Sequence, residues 1–173
     1  MDRDILRQFY RRYSREIYLY LYSLCKSRET AEDLMQEVFL KALLSLPDQN
    51  ENLRAWLYKV ARNACFNELR NRKREVEMDP AAGADVYAAE AVEKNQDSLS
   101  DILILNEQKK MLYEAMLKLP DRQREILELF YFSEMCMKQI AEIMKLTPQN
   151  VRVLAYRAKK QLREYMEVKE YEL

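Results

Sequence analysis

An all-α protein is what this sequence predicts: two small helical domains joined by a flexible acidic linker, the C-terminal one a helix-turn-helix domain. Three observations lead there. Glycine occurs once and proline four times in 173 residues, so few positions interrupt a helix, and the strong helix formers Leu, Glu, Lys, Arg and Ala are abundant. Apolar residues recur at steps of three and four, the period of an amphipathic helix. The formal charge is zero, but it is sorted along the chain: −1 over 1–53, +6 over 54–74, −7 over 75–104 and +2 over 105–173. Neutrality is a cancellation between two basic patches and an acidic tether.

The first helix carries Leu6, Phe9, Tyr10, Tyr13, Ile17, Tyr20, Leu21 and Leu24 on one side. Ser27 is placed to cap the next, in which Ala31, Leu34, Met35, Val38, Phe39 and Ala42 form the inward stripe. "LPDQNEN" (46–52) ends that pattern with Pro, Asp and Asn and reads as a loop. A third helix starts near Leu53, turns Trp56, Leu57, Val60, Ala61 and Ala64 inward, and runs into the basic "RNRKRE". From Glu75 to Ile104 there are eight acids, one lysine, Pro80, Gly83 and the low-complexity "AAGADVYAAEA". So polar a segment buries too little to fold by itself. It spans roughly 30 Å as a coil. Periodicity resumes at Leu105, with Met111, Leu112, Ala115, Met116 and Leu119, and Pro120 ends one helix and starts another. The domains are thus expected at 1–75 and 105–170, with 76–104 as linker.

Composition excludes several classes of function. Without histidine the chain lacks the commonest general base and metal ligand, and a single glycine cannot build a phosphate-cradling loop. Cys25, Cys65 and Cys136 match no zinc spacing and read as buried small hydrophobes in a reducing compartment. No apolar run reaches the ~18 residues of a membrane span. A cytoplasmic, non-enzymatic protein is expected, with no cofactor, metal or small-molecule substrate.

The last part of the chain carries the most specific local pattern. In "MKQIAEIMKLTPQNVRVLAYRAKKQL" a short helix, Met137 to Met144, turns Ile140, Ala141 and Ile143 inward. "KLT" makes a three-residue turn, with Thr147 as N-cap and Pro148 at the first helical position. The following helix buries Val151, Ala155, Ala158 and Leu162, and its other face shows Gln149, Asn150, Arg152, Val153, Tyr156, Arg157 and Lys160. Two helices on a tight turn, the second with a basic and amide-rich face, form a DNA-binding helix-turn-helix pattern. Lys and Arg neutralise phosphates, while Gln, Asn and Arg also reach base edges. Charge runs of this kind can also be simply solvated, but the Thr-Pro start, small Ala141 and the lack of any acid before Glu164 favour DNA.

Two further faces stand off the buried stripes. On the second helix Asp33, Gln36, Glu37, Leu40 and Lys41 point away from the core positions; periodicity alone allows a merely solvated surface. On the third, Arg62, Asn63 and Asn67 precede Arg70, Arg72, Lys73 and Arg74, with Tyr58 and Phe66 near that side. A solvated, dipole-favoured helix end is the plain alternative; the neighbouring amides and aromatics favour nucleic acid.

"LPDRQREILELFYFSEMCMKQIAEIMKLTPQNVRVLAYRAKKQL" resembles the C-terminal promoter-reading domain of bacterial sigma factors. "ETAEDLMQEVFLKAL" followed by "LRAWLYKVARNACFNELRNRKR" is similar to their N-terminal domain. Order and spacing resemble the two-domain extracytoplasmic-function (ECF) group of the sigma-70 family. The resemblance implies a factor that binds RNA polymerase core and directs promoter recognition. Asp33, Gln36, Glu37 and Leu40 would then meet the coiled coil of the largest polymerase subunit. Arg62, Asn63, Asn67, Arg70, Arg72, Lys73 and Arg74 would act at the −10 element, where the family captures an unstacked base in the preceding loop; here Asp48, Gln49, Asn50 and Asn52 could offer edges to it. Thr147, Gln149, Asn150, Arg152, Tyr156, Arg157 and Lys160 would act at the −35 element. An anti-sigma factor is an implied further partner. The chain departs from the family's habits at Lys145, where glycine is frequent, at Asn67, where aspartate is usual, and at Met137, Leu154 and Ala155. The rival reading from the residues alone is an autonomous helix-turn-helix regulator that acts without polymerase. A nucleic-acid enzyme and a protein-only adaptor fit less well.

Overall fold

The computed structural model describes residues 3–45, 52–78 and 107–171. The chain divides into two units, Met1–Ser98 and Leu99–Leu173, with the boundary inside the expected linker. Expected features at Asp48, Gln49, Asn50, most of 76–104 and Leu105 lie outside the described residues. Every regular element described is helical.

The first unit contains α1 (Arg3–Cys25), α2 (Arg28–Leu44) and α3 (Leu53–Met78), each packed against the other two. Its centre is Ile17, Tyr20, Leu21, Ala31, Val38, Leu57, Tyr58, Ala61 and Cys65, all at most 1% exposed. Burying each of the larger aliphatic side chains contributes about 1.5–3 kcal/mol. The expected stripes hold in most places. Leu6, Tyr13, Leu24, Met35, Trp56 and Val60 are only partly covered, and Tyr10 is exposed, with its ring edge on Phe39 at 4.9 Å.

Caps set the ends. Lys26 takes a left-handed φ of 55° between α1 and α2. Ser27 then caps α2 as expected, its Oγ accepting from the Thr30 N–H at 3.4 Å. The Asn52 Oδ1 accepts from the N–H groups of Arg54 and Ala55 at 3.1 and 3.3 Å. That oxygen caps α3, which corrects the expectation that it is free for a base edge. Across the unit, Arg54 grips Glu16 with two nitrogens, the Nη2–Oε2 distance being 2.7 Å, and the Tyr58 hydroxyl donates to the same carboxylate at 3.2 Å. Hydrogen bonding to Glu16 raises the Arg54 guanidinium above its ordinary pKa, so its charge persists wherever the protein is folded. Tyr58 was expected near the outer basic face; the structure instead buries its ring against Tyr20 at 4.9 Å.

The second unit is built on a long spine, α7 (Pro148–Tyr171), against which α4 (Glu107–Leu117), α5 (Asp121–Leu127) and α6 (Met137–Met144) pack. Met116, Leu119, Leu127 and Ala158 form one core cluster, with Leu112, Leu162 and Tyr165 half-buried around it. Pro120 stands between α4 and α5 as expected. After α5 the chain widens into a π-helical turn, Glu128–Phe132, that periodicity did not reveal. The Ser133 N–H reaches back five residues to the Glu128 carbonyl at 3.0 Å. This turn keeps Leu129 buried and leaves Tyr131 and Phe132 about half exposed.

The turn between α6 and α7 has the foreseen length and one unforeseen cost. Lys145 sits at φ 55°, ψ 45°, and the next N–H, that of Leu146, closes on the Ala141 carbonyl at 2.9 Å. This is the Schellman closure, a position that favours glycine because a Cβ crowds the backbone there. Lys145→Gly is therefore expected to stabilise the unit by about 1 kcal/mol, read as a higher midpoint in thermal melting. Cys136, expected buried, is exposed just before α6, where its N–H donates to the Gln139 Oε1 at 3.0 Å.

Candidate functional site

Three outward helix faces carry the candidate residues, two in the first unit and one in the second. On α2, burial of Ala31, Leu34, Val38, Phe39 and Ala42 forces Asp33, Gln36, Glu37 and Leu40 to the outside, and all four are exposed. Their spacing of three, one and three residues places them along one face. Glu37 pairs with Lys41 at 2.6 Å, a half-exposed pair one turn apart. Leu40 is 59% exposed and Leu44, one further turn along, 85%. The face thus passes from acidic and amide groups to bare leucine. Leu44 was missed in the sequence; its place one turn beyond Leu40, off the buried stripe, was the available signal.

On α3 the face is narrower than the basic run suggests. Asn63, Asn67, Arg70 and Arg74 are exposed and lie on one side, with Lys73 exposed beside them. Arg62 lies with its guanidinium carbon 4.4 Å from the centre of the Phe66 ring, which is 36% exposed. That cation–π contact holds a flat aromatic surface beside the amides. Arg72 turns to the opposite side. Its Nη2 donates to the Thr30 Oγ1 at 2.6 Å and its Nε to the Glu68 Oε1 at 2.9 Å, tying α3 to the start of α2. The single mutants should therefore separate. Arg72→Ala is expected to lower stability by about 1–2 kcal/mol, as the loss of charge-assisted hydrogen bonds does. Arg74→Ala should leave the melting midpoint unchanged within about 0.5 kcal/mol, as an exposed position does. Thermal melting of both checks this.

On α7, Gln149, Asn150, Arg152, Val153, Tyr156, Arg157 and Lys160 are all exposed, while Val151, Ala155 and Ala158 are buried against the rest of the unit. Small Ala155 and Ala158 facing Ala141 and Ile140 on α6 suit a close approach of helices. The Thr147 Oγ1 accepts from the Asn150 N–H at 3.2 Å, so its lone pair caps the helix and fixes the first turn. Tyr156, 69% exposed, stands at the middle of the face. Lys159 does not join it: its Nζ lies over the rings of Phe130 and Tyr131 at 4.8 and 5.5 Å.

Among the described residues no group of three or more His, Cys, Asp or Glu side chains is arranged to hold a metal ion, and no helix is long and apolar enough to cross a membrane. The chemistry on offer is that of exposed faces: amides and guanidinium groups for nucleic acid on α3 and α7, and carboxylates beside leucine for a protein on α2.

Known proteins share this layout. The family profile for Sigma-70 region 2 matches residues 9–75, and that for Sigma-70, region 4 matches residues 109–162. The ECF RNA polymerase sigma factor SigM of Bacillus subtilis (strain 168) is 29% identical over 157 residues, which cover 90% of this chain and 91% of SigM. The RNA polymerase sigma factor YlaC of the same organism is 30% identical over 173 residues, covering 95% of this chain and 93% of YlaC. Among solved structures, the sigma factor RpoE in complex with the anti-sigma factor NepR from Bartonella quintana has the same fold, with a TM-score of 0.71 at 23% identity, covering 94% of this chain and 96% of that one. With both conserved regions matched in order and relatives aligned along almost their whole length, the chain belongs to the sigma-70 family of RNA polymerase sigma factors, in its extracytoplasmic-function group.

Proposed function

We propose that the three faces divide the work of promoter recognition. The outer face of α2, Asp33, Gln36, Glu37 and Leu40 extended by Leu44, docks on the largest-subunit coiled coil of RNA polymerase core. The α3 face, with Arg62, Asn63, Asn67, Arg70, Lys73 and Arg74, engages the −10 element and helps to open it. Asn50 belongs to the loop before α3, to which we assign the unstacked base. The α7 face, with Gln149, Asn150, Arg152, Tyr156, Arg157 and Lys160, reads the −35 element. Thr147 contributes by fixing the turn that aims this helix. The functional modules are 1–75 and 105–170, tethered through 76–104. The chain supplies no catalysis and acts in the cytoplasm, with the polymerase.

One observation carries the reading: a single chain bears an acidic, leucine-tipped helix face and two basic, amide-rich ones, each exposed on a separate helix. Flipping a base costs a few kcal/mol, repaid by stacking and edge contacts. Each basic face alone binds DNA weakly; tethering through polymerase raises the effective concentration of one for the other. The RpoE structure contains an anti-sigma factor, and we assign a partner of that class to this chain too.

The test is a pull-down with core polymerase followed by run-off transcription. Core-dependent, promoter-specific transcripts support the reading. A stable dimer that shifts an operator tightly with no polymerase present would support the autonomous regulator instead.

A further inference from the structure

Two of the three cysteines meet inside the first unit. Cys25 is the last residue of α1 and half-buried, whereas Cys65 lies in the middle of α3 with 0% exposure. Their side chains are hydrogen-bonded to each other, and the Cys25 Sγ also donates to the Ser27 carbonyl at 3.4 Å. The corner around them is firmly held. Lys26 makes the left-handed turn, the Ser27 Oγ and Thr30 Oγ1 are 3.1 Å apart, and Arg72 donates to that Thr30 oxygen at 2.6 Å. Only the packing of α1 on α3 brings together two sulfurs so distant in sequence.

We infer that Cys25 and Cys65 form a hydroperoxide-sensitive dithiol that closes reversibly to a disulfide between α1 and α3. Access and chemistry give the two sulfurs different roles. Cys25 alone of the pair is in reach of solvent, so it meets the oxidant. Hydrogen bonding with the Cys65 side chain lowers its thiol pKa from the usual value against the opposing effect of burial, and the nearby Arg72 charge adds to the lowering. The thiolate is the nucleophile in such reactions. It attacks one oxygen of hydrogen peroxide; the O–O bond breaks, leaving Cys25 as sulfenic acid and, after proton uptake, one water. The Cys65 sulfur then attacks the Cys25 sulfur, the S–O bond breaks, and the hydroxyl departs as a second water with the Cys65 proton. Each sulfur gives up one electron, and the peroxide takes both. The product ties the end of α1 to α3 beside the Arg72–Thr30 link, and a small thiol restores the dithiol by exchange.

The experiment uses the full chain carrying Cys136→Ser, which removes the exposed thiol of the second unit and leaves the pair untouched. After a modest excess of hydrogen peroxide, denatured intact protein is weighed and digested without reduction. The expected result is a monomer lighter by two hydrogens, a Cys25–Cys65 cross-linked peptide, and full recovery with dithiothreitol. Adding Cys65→Ser should instead yield sulfenic acid at Cys25, trapped by a cyclic 1,3-dione, while adding Cys25→Ser should leave Cys65 unreacted. No mass change, an intermolecular dimer, or oxygen gained without the cross-link in the Cys136→Ser protein would overturn the inference, and that protein keeps the native core, so a misfolded Cys65 variant does not decide the matter.

Discussion

Replacing Asp33, Gln36 and Glu37 together by alanine is expected to abolish association with RNA polymerase core while the fold stays intact. All three side chains are exposed, and none belongs to the buried stripe of Thr30, Ala31, Leu34, Val38, Phe39 and Ala42 that holds α2 in its unit. The only contact printed on the surface here is the Glu37–Lys41 pair, half exposed at both ends. Its loss costs about 0.3–0.5 kcal/mol, and alanine, the best helix former, offsets some of that. The melting midpoint should therefore move by no more than a few degrees. Binding is another matter. Central interface residues cost about 2 kcal/mol or more each on truncation, so three adjacent ones should weaken docking by more than about a thousandfold. Titration of labelled core with the variant, beside its circular dichroism and melting curve, checks both halves. Normal polymerase binding would remove the assignment; a collapsed melting curve would show that these side chains are structural. Leu40→Ala separates the two chemistries of the face: it should weaken docking severalfold without altering its dependence on salt.

Much of this architecture was legible in the sequence, and the places where it was not share a cause. The α2 stripe, the Ser27 cap, the bounds of α6 and the Thr147-Pro148 start of α7 all follow from local chemistry: apolar spacing, an oxygen at a cap, a fixed φ. Such signals act over a few residues and survive packing. Arg72 was grouped with its basic neighbours because it is next to them in the chain, yet it lies 180° around the helix from Asn63, on the side of Ala61 and Cys65. Counting residues at 100° each would have found this. Tyr58 was drawn outward by the same habit, and its burial follows from the Glu16–Arg54 pair, a contact between helices that no local pattern announces. The π-helical turn at Glu128–Phe132 breaks the period on which the reading depends. Lys159 leaves the DNA face because Phe130 and Tyr131 offer their rings to it. The meeting of Cys25 with Cys65 is likewise tertiary. Long-range pairing, not misjudged propensity, is what separates the structure from the expectation.

On the α7 face the structure turns charge into a testable division of labour. The first turn, fixed by the Thr147 cap, presents Gln149, Asn150 and Arg152, and helices of this kind enter the major groove by their N-terminal end. Lys160 lies eight residues beyond Arg152, about 12 Å further along the axis, too far for both to touch the same few base edges. Lys159 is held over its aromatic rings, which leaves Arg157, Lys160 and Arg163 as the exposed cations of the distal part. Arg152→Ala is therefore expected to cost ~1–3 kcal/mol on the preferred −35 sequence and to relax discrimination at one position. Lys160→Ala should weaken every sequence alike and reduce the salt slope by about one unit, as the loss of one phosphate contact does. Neither substitution touches the buried side of α7, formed by Val151, Ala155 and Ala158, so a change in binding is not a change in folding. Both variants, with core polymerase, are compared on a library of randomised −35 elements at two salt concentrations. If Arg152→Ala lowers all promoters equally while the salt slope falls, that residue grips the backbone, and the reading of bases must be sought in Gln149, Asn150 and Tyr156.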